Sequence, residues 1–473
     1  MTMKRTKIVC TIGPASSNEE IISDMIDSGM DVARFNCSHS NYESFTKGIK
    51  IIKKLRKKKN IPISLLLDTK GPEIRIGQMK KDSFLEEGSE FVLYPDETLV
   101  GNSTKAGLSF PDLSMYLKKD DRILVDDGLI CLNVEKIEDK LIFCKVVYGG
   151  YLKSRKSVNI PDVEIPISYV SNQDIEDLKF GYAQGFDYIA ASFVRSANDI
   201  EILKSHLHII GWSQVKIIAK IENRQGVENI DEILKVVDGI MIARGDLGVE
   251  FPLEQIPAIQ KELIRKVIPM GKVVITATQM LESMVDNPRP TRAETTDVAN
   301  AVYDGTSALM LSGETAAGKY PVDAVKTMSL IAKTTEQNIN YKKRFYSIDS
   351  PSHSTITNAI SHATVMTAYD LDAKAIISLT KSGSTPRMVA RYRPTCKVIA
   401  CTPDEEVYNQ MNLIWGVIPL LFDETDSTDE LVRGAIESCI KNKLVEKGDL
   451  IVLTAGVPLG TPGTTNMLKI DIC

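Results

Sequence analysis

Histidine is scarce in this chain: there are five in 473 residues. None falls at metal-ligand spacing, so a zinc centre is not expected. The eight cysteines, Cys10, Cys37, Cys131, Cys144, Cys396, Cys401, Cys439 and Cys473, include no C-x-x-C pair. A chain of this length buries a core without staples, so the thiols read as reduced and intracellular. No apolar run approaches the roughly 18 residues of a membrane span. Lys4, Arg5 and Lys7 precede an apolar stretch, but Gly13-Pro14 stops it too early for the core of a signal peptide. A cytoplasmic location is expected. The dinucleotide fingerprint G-x-G-x-x-G is missing. Excess positive charge is lacking as well, the formal net charge being −5. That disfavours broad binding to nucleic acid or to a membrane surface, and an anionic ligand must be met by local positive charge.

Against these absences stands an ordinary globular composition, 43% hydrophobic and 25% charged, with length for about three domains. Short β-branched runs alternate with longer amphipathic stretches. Lys7–Thr11, Asp31–Asn36 and Ile63–Asp68 read as strands, with helices at Glu19–Ser28 and from Tyr42 to about Lys58. From Gly71 to about Ile167 the rhythm gives way to Gly, Pro and short alternating segments such as Ile123–Val125 and Leu141–Val147, a small all-β insertion. Strands resume at Phe186–Phe193, Val215–Ile221, Gly239–Ala243, Val273–Ala277 and Ser307–Leu311. The helices between and after them read as Asp174–Gln184, Asn198–His208, Val227–Val236, Leu253–Ile268, Arg292–Tyr303 and Pro321–Asn338. Eight strand-helix units outside the insertion predict a closed (β/α)₈ TIM barrel, built from residues 1–70 and 168–340 around an insertion at 71–167. Residues 341–353 read as a linker. Strands near Ala375–Leu379, Lys397–Cys401, Val417–Leu421, Leu450–Thr454 and Leu468–Ile472 then predict an open, doubly wound α/β domain over 341–473. The basic run Lys53–Lys59 reads as a helix end favoured by the dipole.

In such a barrel, chemistry gathers at the C-terminal ends of the strands. Those ends carry Arg34, Asn36, Ser38 and His39; Asp68, Thr69 and Lys70; Lys220 and Glu222; Arg244, Gly245 and Asp246; Thr276, Thr278 and Gln279; and Ser312, Gly313 and Glu314. A single Asp, Ser or Thr at such a junction is often a helix cap. Capping does not explain Lys220, Glu222 and Asp246 together, and a Lys within an apolar strand needs an anionic partner or ligand. Glu222 and Asp246 suit a shared hard cation such as Mg²⁺. Arg34, Arg75 and Lys220 suit a phosphoryl group, and the Gly245-Asp246 amides suit a carboxylate. The set fits metal-assisted phosphoryl transfer or enolate chemistry. Gly313–Lys319 matches G-x-x-x-x-G-K, but Tyr320 and Pro321 follow where a P-loop needs Ser or Thr, so a P-loop is not expected.

These segments resemble the pyruvate kinase family over essentially the whole chain: RTKIVCTIGPAS from Arg5, ARFNCSH from Ala33, LDTKGPEIR from Leu67, IIAKIEN from Ile217, IARGDLGVE from Ile242, ATQMLESM from Ala277 and MLSGETAAGKYP from Met310. The resemblance implies a catalytic barrel, an inserted small β-barrel lid and a C-terminal regulatory domain. It implies phosphoryl transfer from phosphoenolpyruvate to ADP, giving pyruvate and ATP. Carried over, Glu222 and Asp246 correspond to the Mg²⁺ (or Mn²⁺) ligands, and Lys220 to the group that stabilises the phosphoryl group and the enolate. Gly245, Asp246 and Thr278 correspond to substrate-carboxylate contacts, Thr278 also serving enolate protonation through water. Arg34 would bridge substrate phosphate and nucleotide. Asn36, His39, Arg75 and Lys156 correspond to nucleotide contacts. Asn36, Ser38, Asp68 and the Thr69 carbonyl correspond to a K⁺ site. Glu73, where other members carry a Lys that replaces the cation, predicts K⁺ dependence.

Two departures touch the lid and its neighbourhood: Ser157–Asp162 reads SVNIPD where the family more often has GVNLPG, and Ser40 replaces a frequent Gly. In the C-terminal domain, Thr380, Lys381, Ser382, Gly383, Ser384 and Thr385 form a hydroxyl-rich loop between strand and helix that suits a phosphate, with Gly456–Thr465 placed to close over it. The family uses this region for phosphorylated effectors. It is usually a homotetramer, and no phosphohistidine-type domain is expected after Cys473. Two other readings are a Mg²⁺-dependent lyase or aldolase acting on a pyruvate enolate, and a non-catalytic phosphometabolite sensor. The lid's nucleotide contacts argue against the first. The second predicts loss of Lys220, Glu222, Asp246 or Thr278, and all four are present.

Overall fold

The computed structural model describes residues 4–38, 42–81, 83–347, 355–423, 428–457 and 465–473. Eight short parallel strands carry the barrel: β1 (Lys7–Thr11), β2 (Val32–Asn36), β3 (Ser64–Asp68), β4 (Tyr188–Ala191), β5 (Lys216–Ile221), β6 (Gly239–Ala243), β7 (Val273–Ala277) and β8 (Ala308–Leu311). β1 pairs with both β2 and β8, which closes the sheet. The strands are buried on both faces, so they run apolar without alternation. Side-chain direction still alternates. Val9, Val32, Leu66, Ala190, Ile218, Met241, Ile275 and Met310 form one core inside the barrel. Their neighbours Ile8, Ala33, Leu65, Ile189, Ile217, Ile240, Val274 and Leu309 pack outward in the core shared with the helices. Counting on by twos from the inner set reaches Arg34 and Asn36, Asp68, and Lys220 and Glu222. The face that fills the barrel therefore carries its charged residues at one rim.

The insertion forms a seven-stranded sheet between Ile74 and Asn159 with an apolar core of its own, including Leu85, Phe91, Leu132 and Val146. Bridges at Ile76–Leu108 and Met79–Gly101 bring its edges round towards each other. The C-terminal strands are β9 (Ala375–Leu379), β10 (Lys397–Thr402), β11 (Val417–Leu421), β12 (Leu450–Ala455) and β13 (Met467–Ile472). They pair in the order β11-β10-β9-β12-β13, with only β13 antiparallel. This domain covers the N-terminal end of the barrel. Ser64 donates to the Asn409 carbonyl at 2.6 Å, Tyr188 to that of Gln410 at 2.6 Å and Lys7 to that of Val417 at 2.9 Å. Leu413 joins the inner barrel core. The opposite rim is left for the site.

Three local expectations are corrected. Residues 341–353, read as a linker, begin with a helix at Tyr341–Tyr346; Tyr341 and Phe345 are buried, and Phe345 packs among Tyr369, Tyr392 and His362. The polar residues around them mask this aromatic anchor. The helix read as Val227–Val236 is broken at Asn229 into Arg224–Glu228 and Ile230–Val236; there the backbone leaves the helical region, with φ −89° and ψ 13°, and the Asn229 side-chain amide donates to the Arg195 carbonyl at 2.9 Å. A short helix at Arg244–Glu250 was not anticipated; two glycines in seven residues hide it.

Candidate active site

Strand ends bring Arg34, Asp68, Lys220 and Glu222 into direct contact. Asp68 is buried between two cations, with Oδ2 2.6 Å from Arg34 Nε and Oδ1 3.2 Å from Lys220 Nζ. Lys220 Nζ also meets Glu222 Oε1 at 2.9 Å and Ser192 Oγ at 2.8 Å. An ammonium has three N–H groups, and here each has an acceptor. Burial by itself favours the neutral amine, but Asp68 and Glu222 outweigh it and hold the pKa above the ordinary value. Burial likewise disfavours the Asp68 anion, and Arg34 and Lys220 reverse that, holding its carboxyl below the usual range. The second guanidinium arm of Arg34 donates to Thr11 Oγ1 at 2.8 Å. Glu222 accepts the Phe193 amide on Oε2 at 2.6 Å.

Asp246 lies in the first turn of the helix Arg244–Glu250. Its pKa is pushed up to about 7, by burial first and then by Glu222, with Asp127 from the insertion adding to it. Two carboxylates that repel each other's charge, with hard oxygen donors, fit a divalent cation of the Mg²⁺ class. Three carboxylates, Asp68, Glu222 and Asp246, face two cations, Arg34 and Lys220. A divalent cation would turn that small negative excess into a net positive site suited to an anion.

Gly245 and Thr278 are joined directly. The Gly245 amide donates to Thr278 Oγ1 at 2.8 Å, and that hydroxyl donates to the Ala277 carbonyl at 2.7 Å. Thr276 is not part of the site: it is fully buried and bonds Thr306 at 2.9 Å. Glu314 is structural too, accepting the Ser312 and Leu281 amides at 2.7 and 3.1 Å.

The residues assigned to a monovalent cation are neighbours at the ends of β2 and β3. Asn36 stands opposite Asp68 in the β2–β3 register. Asn36 Oδ1 accepts the Ser38 amide at 3.0 Å, and the Cys37 amide bonds the Asp68 carbonyl at 3.0 Å. The Thr69 carbonyl takes a hydrogen bond from Ser192 at 2.7 Å. Neutral and anionic oxygens of this kind suit an alkali cation. Glu73 pairs with Arg75 at 2.6 Å, and its pKa is raised by burial against that pairing. No ammonium stands at that position.

Arg75 and Lys156 bond within the insertion. Arg75 holds Glu73 and the Arg155 carbonyl, and Lys156 pairs with Asp126 at 2.7 Å. Arg75 faces Ser157 across a strand pair, and Ser157 Oγ contacts Asp127 at 3.1 Å. His39 and Ser40 lie outside the described residues. In the C-terminal domain, Thr380 Oγ1 accepts the Gly383 amide at 3.0 Å and that of Ser382 at 3.4 Å. Gly383 has φ 74°, a turn that favours glycine. Thr385 and Thr465 meet at 2.8 Å; residues 458–464 lie outside the described part.

Sequence reasoning missed Ser192 and Asp127, and it placed Arg244 at a strand end without giving it a role. Ser192 follows β4, whose rim end the sequence reading left empty; a search for hydroxyls at every strand end would have found it.

A family model described as pyruvate kinase, barrel domain, matches residues 3–325, and one described as pyruvate kinase, alpha/beta domain, matches residues 358–471. The chain is 45% identical to the pyruvate kinase of Clostridium acetobutylicum, over 99% of this chain and 100% of that one. It is 47% identical to the pyruvate kinase of Geobacillus stearothermophilus, over 99% of this chain and 80% of that one. Identity to the pyruvate kinase of Staphylococcus aureus strain MRSA252 is 46%, again over 99% and 80%.

Proposed function

The chain belongs to the pyruvate kinase family, and from that premise we propose that it transfers the phosphoryl group of phosphoenolpyruvate to ADP, giving pyruvate and ATP. The carrying observation is Lys220, whose fixed ammonium is held by Asp68, Glu222 and Ser192 within the rim of a closed barrel. A charge fixed before reaction costs no reorganisation when negative charge develops. A β-phosphate oxygen of ADP attacks phosphorus, the bond from phosphorus to the enol oxygen breaks, and its electron pair stays on that oxygen as the enolate. Lys220 and Arg34 balance the charge on the phosphoryl group, and Lys220 that on the enolate. C3 then gains one proton from a water oriented by Thr278, and solvent replaces it.

The Asp246 amide is assigned to the substrate carboxylate, with Gly245 and Thr278 framing that site, since the Gly245 amide and the Thr278 hydroxyl proton are already taken by Thr278 Oγ1 and the Ala277 carbonyl. Glu222 and Asp246 would hold Mg²⁺ or Mn²⁺, which supplies Lewis-acid stabilisation of the substrate oxygens when bound. Asn36, Ser38, Asp68 and the Thr69 carbonyl would hold K⁺. Asn36, His39, Arg75 and Lys156 are assigned to the nucleotide, the last two reaching it as the insertion closes and excludes water. The loop Thr380–Thr385 is assigned to a phosphorylated effector. It follows β9, where chain connections diverge to the two sides of the sheet, the usual ligand position of an open α/β domain. A homotetramer belongs to the same proposal and is checked by light scattering.

The testing experiment measures ATP formed from phosphoenolpyruvate and ADP with Mg²⁺, comparing K⁺ with Na⁺ and Tris at equal ionic strength. Activity that rises with K⁺ supports the whole reading. Equal activity in all three salts removes the cation site and keeps the kinase. No ATP in any salt removes the reaction.

A further inference from the structure

The turn after β7 is strained. Thr278 and Gln279 follow one another with φ of 65° and 53°, and neither is glycine. A β-branched residue is a poor fit to this left-handed region. Such a turn persists only where its surroundings over-determine it. Arg244, at the end of β6, does that from the side. Its Nη2 donates to the Thr278 carbonyl at 2.8 Å and to the Gln279 carbonyl at 3.1 Å. Its Nη1 donates to Asp297 at 2.8 Å, on the outer helix Arg292–Asp304. One guanidinium therefore ties both strained carbonyls to a neighbouring element, a planar fork that Lys cannot reproduce.

The consequence falls on Thr278 Oγ1. That oxygen accepts from the Gly245 amide and gives its proton to the Ala277 carbonyl. With two acceptor sites on a hydroxyl, one lone pair remains for a water. Its direction is set by the φ of Thr278, hence by the clamp. Lys220, Arg34, Asp68 and Glu222 stand on or just beyond β2, β3 and β5 and make none of these bonds.

We propose that Arg244 is a positioning residue for the proton-transfer half of the reaction alone: it holds the strained Thr278-Gln279 turn so that Thr278 Oγ1 orients the water that protonates C3 of the enolate. This rests on the role given to Thr278 above. The phosphoryl half uses groups on other strands and is largely spared when the clamp is loosened.

The two halves are read separately on the full-length protein with Mg²⁺ and K⁺. Phosphoryl transfer is ATP formed in a single turnover by rapid quench. Proton transfer is deuterium uptake from D₂O into the methyl group of pyruvate, in the presence of ATP, by proton NMR. Arg244→Gln slows exchange roughly 100-fold, the scale of an ångström-sized misplacement, while single-turnover ATP formation changes far less. Arg244→Lys recovers part of the exchange. Asp297→Asn loosens the clamp from a side chain that is 36% exposed; it gives the same selective pattern, smaller in size, and keeps the test available if Arg244→Gln does not fold. Thr278→Val is the reference and loses exchange. Equal loss in both halves for Arg244→Gln and Asp297→Asn, or unchanged exchange in both, overturns the clamp. Exchange retained by Thr278→Val overturns the role of Thr278 itself, and the clamp's function with it.

Discussion

Replacing Ser192 with Ala removes one hydroxyl from the centre of the site and changes no charge. In the structure Ser192 Oγ accepts from Lys220 Nζ at 2.8 Å, donates to the Thr69 carbonyl at 2.7 Å and lies 3.2 Å from Asp68 Oδ1. It is therefore one of three tethers on the ammonium and a bridge from Lys220 to the corner assigned to K⁺. A hydrogen bond to a charged group contributes about 1.5–3 kcal/mol. If that bond holds Lys220 in its transition-state position, the same energy appears in the barrier, and kcat falls by roughly 10- to 100-fold. The KM for phosphoenolpyruvate changes little, because Arg34 and the carboxylate contacts remain. The concentration of K⁺ needed for half-maximal activity rises, because the Thr69 carbonyl loses its donor and its orientation. The assay is steady-state ATP formation across a K⁺ series, with a thermal melt of the same preparation. A variant that melts a few degrees lower with unchanged kcat and unchanged K⁺ response would refute the tether argument and leave Ser192 a packing residue.

Lys220→Met should bring ATP formation down by on the order of 10²–10³ or more. It also leaves Asp68 and Glu222 buried with one cation fewer, so its melting temperature should fall; breaking such a pair costs about 3–5 kcal/mol. Thr276→Val should keep kcat within twofold, since the Thr276 hydroxyl bonds Thr306 inside the barrel wall, and a large loss would place it in the site after all. Lys7 gives a pH test. Burial lowers its pKa from 10.5 to about 8. Between those values the unfolded chain binds more protons, so wild-type stability rises with pH there, and below pH 8 the cost is fully present, about 3 kcal/mol. Lys7→Met should therefore stabilise the protein at pH 7, by about 1–2 kcal/mol once the stranded Val417 carbonyl is allowed for. The advantage should fade by pH 10, as denaturant melts at the two pH values will show.

The strands of the barrel were legible because parallel strands buried on both faces carry long apolar runs, and β1, β6 and β7 agree with the sequence reading residue for residue. The charged rim was legible for the same reason: Lys220 interrupts an otherwise apolar strand, and a charge there has no cheap structural explanation. Thr276 and Thr278 looked alike in sequence because two hydroxyls two residues apart share a face only while the strand continues. The strand ends at Ala277, and the backbone then turns left-handed, so one hydroxyl stays in the wall and the other enters the site. The helix Tyr341–Tyr346 was hidden because its two aromatic anchors lie in a polar stretch.

Composition, periodicity and the order of motifs thus sufficed for the class of fold and for the strand ends at which Arg34, Asp68, Lys220 and Glu222 meet. These are local properties: each is written in a window of a few residues, where burial on both faces or an isolated charge leaves its mark. The tertiary structure alone decided what holds those charges in place. Ser192 reaches Asp68 across 124 positions of sequence, and Arg244 reaches Thr278 across 34. A hydrogen bond between distant strands leaves no periodic trace in either, because a serine or an arginine at a strand end has the same local pattern whether it caps a helix, faces water or clamps a strained turn.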